Sequence, residues 1–136
     1  MSRFPSHAHL ASWAGVSPGN HESAGKRKSG RTTHGDKWLK AVLVEAAWAA
    51  SKTKGSYLKA RYHRIASRRG KKRAAVAVGH TILVTAYHII KDQLVYKELG
   101  ADFFDRLNEQ HLLNRLTKRI AALGYKIDIQ KLPMAA

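Results

Sequence analysis

The chain has 136 residues, with 25 Lys and Arg against nine Asp and Glu, which gives a formal net charge of +16. Its hydrophobic fraction of 44% permits a packed core and argues against wholesale disorder. The lack of cysteine excludes disulfides, thiol catalysis and cysteine-bound zinc. Because so large a positive charge repels itself in a compact state, a polyanion is the expected partner, with nucleic acid ahead of a membrane surface.

The first elements in chain order are a short helix and a long loop. Residues 6–14 place Leu10 and Trp13 on one helical face and have Ser6 as a possible N-cap. Residues 18–35 are rich in Gly, Ser and Thr and show no periodicity, so they predict a basic loop of nearly twenty residues. Because such a long loop is unusual in a small domain, a functional role is expected for it.

Two capped helices follow the loop. Asp36 predicts the start of a helix over residues 36–53, with a wide apolar stripe that begins at Trp38. Ser56 predicts the start of the next helix, in which Tyr57, Leu58, Tyr62 and Ile65 are expected to face inward. A glycine after each helix provides the expected stop.

The second half predicts two longer helices and a tail. The first extends from about residue 71 to about residue 98, and the second spans residues 102–123. The expected core positions of the first are Val76, Leu83, Ala86, Tyr87 and Ile90. Its apolar stretch 74–90 is about the minimum for a membrane span, but its histidines and threonines favour a buried helix. Alternation over residues 125–129 predicts a weak strand or an extended tail.

The predicted fold class is therefore all-α. It has about five helices, a long basic Gly/Ser loop between the first two, and a possible short C-terminal strand or tail. Residues 1–124 are expected to form the helical domain, and 125–136 its tail. No charged stretch followed by an apolar run opens the sequence, so the expected location is cytoplasmic.

A metal-dependent catalytic centre is not expected in this chain. The eight histidines show no His-Glu-x-x-His spacing, so a zinc site is disfavoured. Two-metal phosphoryl chemistry requires several converging acids, whereas Asp102 and Asp105 are better explained as acids at a helix start. The sequence thus predicts no metal site and no cofactor for this chain.

The positive charge is concentrated in two regions, the Gly/Ser loop and the helical middle. No acid occurs between Ala46 and Ile90, whereas basic residues are frequent there. Arginines on one helix face with tyrosines on the other favour contact with a duplex backbone. The candidate nucleic-acid contacts are Lys26, Arg27, Lys28, Arg31, Lys59, Arg61, Arg64, Arg68, Arg69, Lys71, Lys72 and Arg73.

The loop around Ser23 and Ser29 allows two interpretations. A serine beside cations can attack a phosphodiester, since the cations stabilise the negative charge that develops. Alternatively, the Gly/Ser/Lys/Arg composition describes a flexible phosphate clamp without sequence preference. The residues alone favour the clamp.

Several segments together resemble the C-terminal part of the IS110/IS116 insertion-sequence transposases. They occur in the family's order and are highly specific as a set. The matching segments are residues 4–20, 22–26, 29–31, 35–39, 54–58, 69–74 and 99–104.

The resemblance implies an RNA-guided DNA recombinase with two catalytic parts. An N-terminal RuvC-like domain would supply an Asp/Glu/Asp/Asp site for Mg²⁺, and a C-terminal helical domain would supply a serine that attacks DNA. The family serine matches Ser23, with Ser29 as the alternative. The family often has glycine directly after this serine, whereas this chain has Ala24.

The resemblance also sets expectations about partners and completeness. Family members are much longer, so the chain is expected to be an N-terminally truncated transposase that lacks the acidic domain and is inactive alone. Its expected partners are DNA, a guide RNA and the missing RuvC-like domain in cis or in trans. Full-length members of the family are expected to form homo-oligomers. No membrane is expected as a partner. The alternative is a non-catalytic helical module that binds nucleic acid.

Overall fold

The computed structural model describes residues 3–130, without the side chain of Arg27. The described chain is mainly helical, as predicted, and divides into two compact units, Met1–Ala101 and Asp102–Ala136. Its elements are α1 (His7–Trp13), β1 (His21–Ser23), β2 (Lys26–Ser29), α2 (Lys37–Lys52), α3 (Tyr57–Arg69), α4 (Lys71–Asp92), α5 (Phe103–Leu107) and α6 (Glu109–Ala122). The sequence analysis instead divided the chain into a helical domain, residues 1–124, and a tail. That boundary differs from the division into compact units and stays a prediction.

The starts of α2 and α3 are fixed by the predicted caps. The Asp36 carboxylate accepts a hydrogen bond from the Leu39 amide at 2.6 Å, and the Ser56 hydroxyl accepts one from the Lys59 amide at 3.2 Å. Each cap satisfies one of the amides that the first helical turn leaves without a partner. The short-range sequence signals therefore located these two helices correctly.

The core of the first unit forms around α4. One cluster joins Leu10 of α1 and Leu43 of α2 to Leu83 and Tyr87 of α4. A second cluster packs Tyr62 of α3 against small α2 and α4 residues, which are Ala47, Ala74, Ala75 and Val78. The small side chains let the helices approach closely, so α1, α2 and α3 all bury one face against α4.

Parts of the predicted apolar stripes are exposed instead. Trp38 and Val42 of α2 are 82% and 60% exposed, and Ile90 of α4 is 60% exposed. The stripe of α2 was wider than the face that α4 covers, so its outer edge is left in solvent. The expected core position of Ile90 is wrong because the helices packed on α4 do not cover its last turn.

Helix α4 ends six residues earlier than predicted. Gln93 has a left-handed backbone, with φ +51°, and stops the helix after Asp92. The following segment contacts the start of α3, where the Glu98 carboxylate accepts hydrogen bonds from the Tyr57 amide at 2.8 Å and from the Tyr96 hydroxyl at 2.8 Å. These contacts cap α3, and a continuous helix to residue 98 would not make them.

The Glu98 contacts also shift two pKa values. The hydrogen bond from the Tyr57 amide is the largest cause that lowers the pKa of Glu98. Burial and the bond to Glu98 raise the pKa of Tyr96 to about 12. Together with α3 and α4, this segment encloses an apolar cavity of about 420 Å³.

The second unit contains α5 and α6, which the sequence predicted as one helix. Asn108, with φ −130°, separates them. Neither helix has a buried residue, and Leu107 and Leu116 are 66% and 45% exposed. The sequence predicted either a weak strand or an extended tail after residue 124. Residues 125–130 form neither helix nor strand, which agrees with the tail. The remainder of the predicted tail, residues 131–136, lies outside the described residues.

In the described part of the chain, α4 is the one helix long and apolar enough to cross a membrane by length and composition. The core helix of a soluble protein meets the same criteria. The packing of α1, α2 and α3 on α4 agrees with the buried helix that the sequence favoured.

Candidate nucleic-acid interface

The predicted loop between the first two helices is a β-hairpin, here called the hairpin arm (residues 17–33). Strands β1 and β2 are antiparallel, with Ser23 opposite Lys26 and His21 opposite Ser29. The sequence predicted a long basic loop here, and the structure adds two short strands to it. The lack of periodicity gave no signal of them because β1 is exposed throughout and needs no apolar alternation to form. Its order comes from backbone hydrogen bonds, which composition does not report.

The tip of the hairpin arm is a two-residue turn. Ala24 and Gly25 have φ +50° and +70°, and positive φ at both central positions is the requirement of a type I′ hairpin turn. Glycine adopts this backbone freely, whereas alanine is strained in it. The glycine that the family resemblance implies directly after the serine would adopt this backbone without strain. This chain has Ala24 at that position instead.

The base of the hairpin arm is fixed to the helical body. The Ser17 amide donates to the Ala11 carbonyl of α1 at 3.3 Å, and beyond the arm the Asp36 amide donates to the Trp13 carbonyl at 3.1 Å. Gly15 and Gly35 lie in backbone contact, and a Cβ added to Gly35 would overlap the Gly15 nitrogen. These contacts hold the arm between the end of α1 and the start of α2.

The two candidate serines lie in different environments on the arm. Ser23 is exposed and directly precedes the turn. Because opposed residues of an antiparallel pair project from the same face, Lys26 lies beside Ser23. Ser29 is half-buried, and its hydroxyl accepts a hydrogen bond from the Arg31 amide at 3.2 Å.

The second basic region is the junction of α3 and α4, here called the basic corner (Arg68, Arg69, Lys71, Lys72 and Arg73). Gly70 alone separates the two helices. All five side chains are exposed, and among the described residues no carboxylate pairs with them. The first turn of α4 also contains no acid. Three of these cations therefore lie at a helix N-terminus, where the helix dipole disfavours positive charge by about 0.3–1 kcal/mol each.

The other basic residues of α3 differ in exposure. Arg64 is exposed, whereas Lys59 and Arg61 are half-buried. The Arg61 guanidinium donates to the Tyr57 hydroxyl at 3.1 Å. Burial lowers the pKa of His80, and the Arg61 charge lowers it further. Arg61 thus contributes to the packing of the fold. The exposed positive charge of α3 comes from arginines nearer its C-terminus.

The structure adds basic residues that the sequence analysis missed. His34, Lys37 and Lys40 join the predicted Arg31 in lining a cavity of about 380 Å³ between the base of the hairpin arm and the first turn of α2. The Lys40 ammonium donates to the Thr32 hydroxyl at 2.8 Å. The i, i+3 spacing of Lys37 and Lys40 predicts that these two lysines lie on one side of the helix. It does not predict that the base of the hairpin arm lies opposite them and completes the cavity.

Within residues 3–130, no group of three or more His, Asp or Glu residues is arranged to hold a metal ion. Magnesium prefers carboxylate oxygens in a near-octahedral site. The described residues therefore do not fit the Mg²⁺ site that the family resemblance implies.

Comparisons with known proteins agree with the resemblance. A model of the Transposase IS116/IS110/IS902 family matches residues 1–63, which include the hairpin arm and the basic cavity. No curated protein and no solved structure matches the chain. Residues 1–63 are therefore similar to the IS116/IS110/IS902 transposases, and this similarity supports a transposase role.

Proposed function

We propose that this chain is the DNA-binding C-terminal part of a transposase that mediates transposition by strand cleavage and exchange, with Ser23 as the nucleophile. The observation that carries the proposal is the position of Ser23, exposed at the tip of an anchored hairpin and opposite Lys26. An arm with a fixed base and an exposed tip can reach a phosphodiester that the helical body cannot approach. A nucleophile requires that access.

The proposed step is a transesterification. The Ser23 oxygen attacks phosphorus, a phosphorus–serine oxygen bond forms, and the bond to one DNA sugar oxygen breaks. The serine proton passes to water, and the departing oxygen takes a proton from water. The Lys26 ammonium stabilises the negative charge on the phosphoryl oxygens as it increases in the transition state.

The environments of the two serines support Ser23 over Ser29. The Ser29 hydroxyl accepts a backbone hydrogen bond and holds the strand where it leaves the hairpin. A hydroxyl committed to the backbone would give up that bond on approach to DNA. Ser23 directly precedes the turn, where an extended substrate has access.

The basic corner supports contact with a nucleic-acid backbone. Lys71, Lys72 and Arg73 lie at the positive end of the α4 dipole, and the first turn of this helix contains no acid. A nearby chain of phosphates relieves this repulsion and releases counterions. We assign this surface to target DNA or to a guide RNA.

The family resemblance implies that cleavage requires Mg²⁺, and the described residues do not fit such a site. We therefore propose that a RuvC-like domain provides the acidic site, in cis or in trans, and that residues 1–136 are inactive alone. A homo-oligomer and a cytoplasmic location complete the proposal.

The test is strand exchange with the RuvC-like domain supplied in trans. Ser23→Ala is expected to abolish both exchange and the covalent protein–DNA adduct, whereas the matched Ser29→Ala is expected to retain the adduct. An adduct that persists in Ser23→Ala would overturn the nucleophile assignment. Linear salt-dependent binding with no adduct from the wild-type chain would instead favour a non-catalytic nucleic-acid-binding module.

A further inference from the structure

The cavity at the base of the hairpin arm has the chemistry of an anion site. Its volume of about 380 Å³ exceeds that of a phosphate group, and its lining includes Arg31, Lys37 and Lys40 but no carboxylate. The nearest acid in sequence, Asp36, is bound to the Leu39 amide as the cap of α2. The lining residues themselves therefore bring positive charge together without a carboxylate among them.

The two walls of the cavity are held in place. The Lys40 ammonium donates to the Thr32 hydroxyl at 2.8 Å, which joins α2 to the end of the hairpin arm. The Gly15–Gly35 contact fixes the backbone between the walls. The site is therefore formed before a ligand arrives, which lowers the entropic cost of binding.

An unusually exposed aromatic side chain lies in the first turn of α2, the turn that also contains the cavity residues Lys37 and Lys40. Trp38 follows Lys37 directly and is 82% exposed. Trp48, farther along the same helix, is 38% exposed, and its ring lies 5.7 Å from that of Tyr62. A basic cavity with an exposed indole in the same helical turn matches the composition of sites that bind unpaired nucleic-acid strands.

We propose that this cavity binds a backbone phosphate of an unpaired nucleic-acid strand and that a base of that strand stacks on Trp38. The inference rests on the proposed function in taking nucleic acid as the partner. It adds a site distinct from the hairpin tip, and it assigns recognition of a single strand to the base of the arm. Duplex contact belongs to the basic corner.

The charge test compares two double variants of the full chain. Lys37→Gln/Lys40→Gln removes two cations from the cavity, and Lys52→Gln/Lys54→Gln removes two exposed cations from the other end of α2. With a single-stranded 20-mer, the cavity variant is expected to bind at least about fivefold more weakly than the control. Its slope of log K against log salt is expected to fall by about 0.7 for each phosphate that the variant no longer neutralises. Equal weakening in both variants would overturn the site.

The stacking test uses Trp38→Ala, with Trp38→Phe as the variant that keeps an aromatic face. Trp38→Ala is expected to weaken single-strand binding at least about fivefold, and Trp38→Phe to recover most of it. The affinity for a blunt duplex of the same sequence is expected to be the same in both variants as in the wild type. Equal weakening on single strand and duplex would overturn the stacking assignment.

A third measurement separates a strand phosphate from free phosphate. Inorganic phosphate at millimolar concentration is expected to compete weakly with the single-stranded 20-mer. Full displacement by phosphate, together with unchanged 20-mer binding in Trp38→Ala, would identify a free-anion site and overturn the proposal. Circular dichroism of each variant verifies folding, and Lys37→Gln alone, at an exposed position, provides a second charge variant.

These outcomes are distinguishable from failure of the proposed function. A chain that binds no nucleic acid would refute both. An adduct that persists in Ser23→Ala, with retained cavity-dependent binding, would refute the catalytic proposal alone. Normal adduct formation with no difference between the cavity and control variants would refute only the site at the base of the arm.

Discussion

The hairpin arm and the basic corner are both basic but are built differently. The arm is an exposed antiparallel pair held at its base by backbone hydrogen bonds and by the Gly15–Gly35 contact. The corner is a pair of helix ends whose cations extend into solvent on either side of Gly70. The arm thus fixes the position of a hydroxyl, whereas the corner supplies charge without fixed geometry. Two basic regions of one chain therefore need not have the same function.

The largest expected effect tests whether the arm depends on its base. In Gly35→Ala, the added Cβ would lie within 2.5 Å of backbone atoms of Gly15 and Trp13, which cannot move aside cheaply. We expect the free energy of unfolding to fall by about 3 kcal/mol, measured by denaturant titration. The control Gly55→Ala has open space but φ +70°, so it should cost about 1 kcal/mol. Equal destabilisation in both variants would mean that the contact at the base is not tight.

The next effect concerns charge at the basic corner. Replacing Arg68, Lys71, Lys72 and Arg73 by Gln should weaken duplex binding at least about 100-fold at low salt and reduce the salt slope by about 3–4. The matched control replaces four exposed cations of the second unit, Arg115, Lys118, Arg119 and Lys126. Fluorescence anisotropy across a salt series measures both quantities. A control that weakens binding as much would show that only net charge matters.

A smaller effect tests the tip of the arm. Ala24→Gly removes the strain of a left-handed alanine, and we expect it to stabilise the hairpin by about 0.5–1 kcal/mol. Slower amide exchange over residues 21–29 would report that gain. The control Ala49→Gly, on the exposed face of α2, should destabilise by about 1 kcal/mol. Faster amide exchange at the hairpin tip in Ala24→Gly than in the wild type would contradict the inference that Ala24 is strained.

The smallest effect concerns the other end of α3. The pKa of Glu98 is lowered in the fold, so its stabilising contribution is present above the ordinary carboxyl pKa and disappears as the pH falls toward the lowered value. Because the group is exposed, we expect less than about 1 kcal/mol. The stability difference between the wild type and Glu98→Gln should therefore shrink between pH 6 and pH 3. A difference that grows toward acid pH would contradict the assigned contacts.

Much of the helical framework was predictable because its signals are local. Asp36 and Ser56 act within three residues, and the apolar positions of α4 identify the element that forms the core. The errors occurred where a distant contact decided the outcome. Glu98 binds the Tyr57 amide 41 residues away, and that contact belongs to the non-helical segment after α4.

The sequence by itself determined the helical class, the excess of positive charge, the family resemblance and the choice of Ser23 as the candidate nucleophile. Tertiary structure alone decided that the Gly/Ser loop is an anchored hairpin and that Lys26 faces Ser23 across it. It also brought Thr32 and Lys40 together around a basic cavity. Composition and periodicity describe neighbours along the chain, whereas strand register and cavities arise from backbone pairing between residues that are apart in sequence.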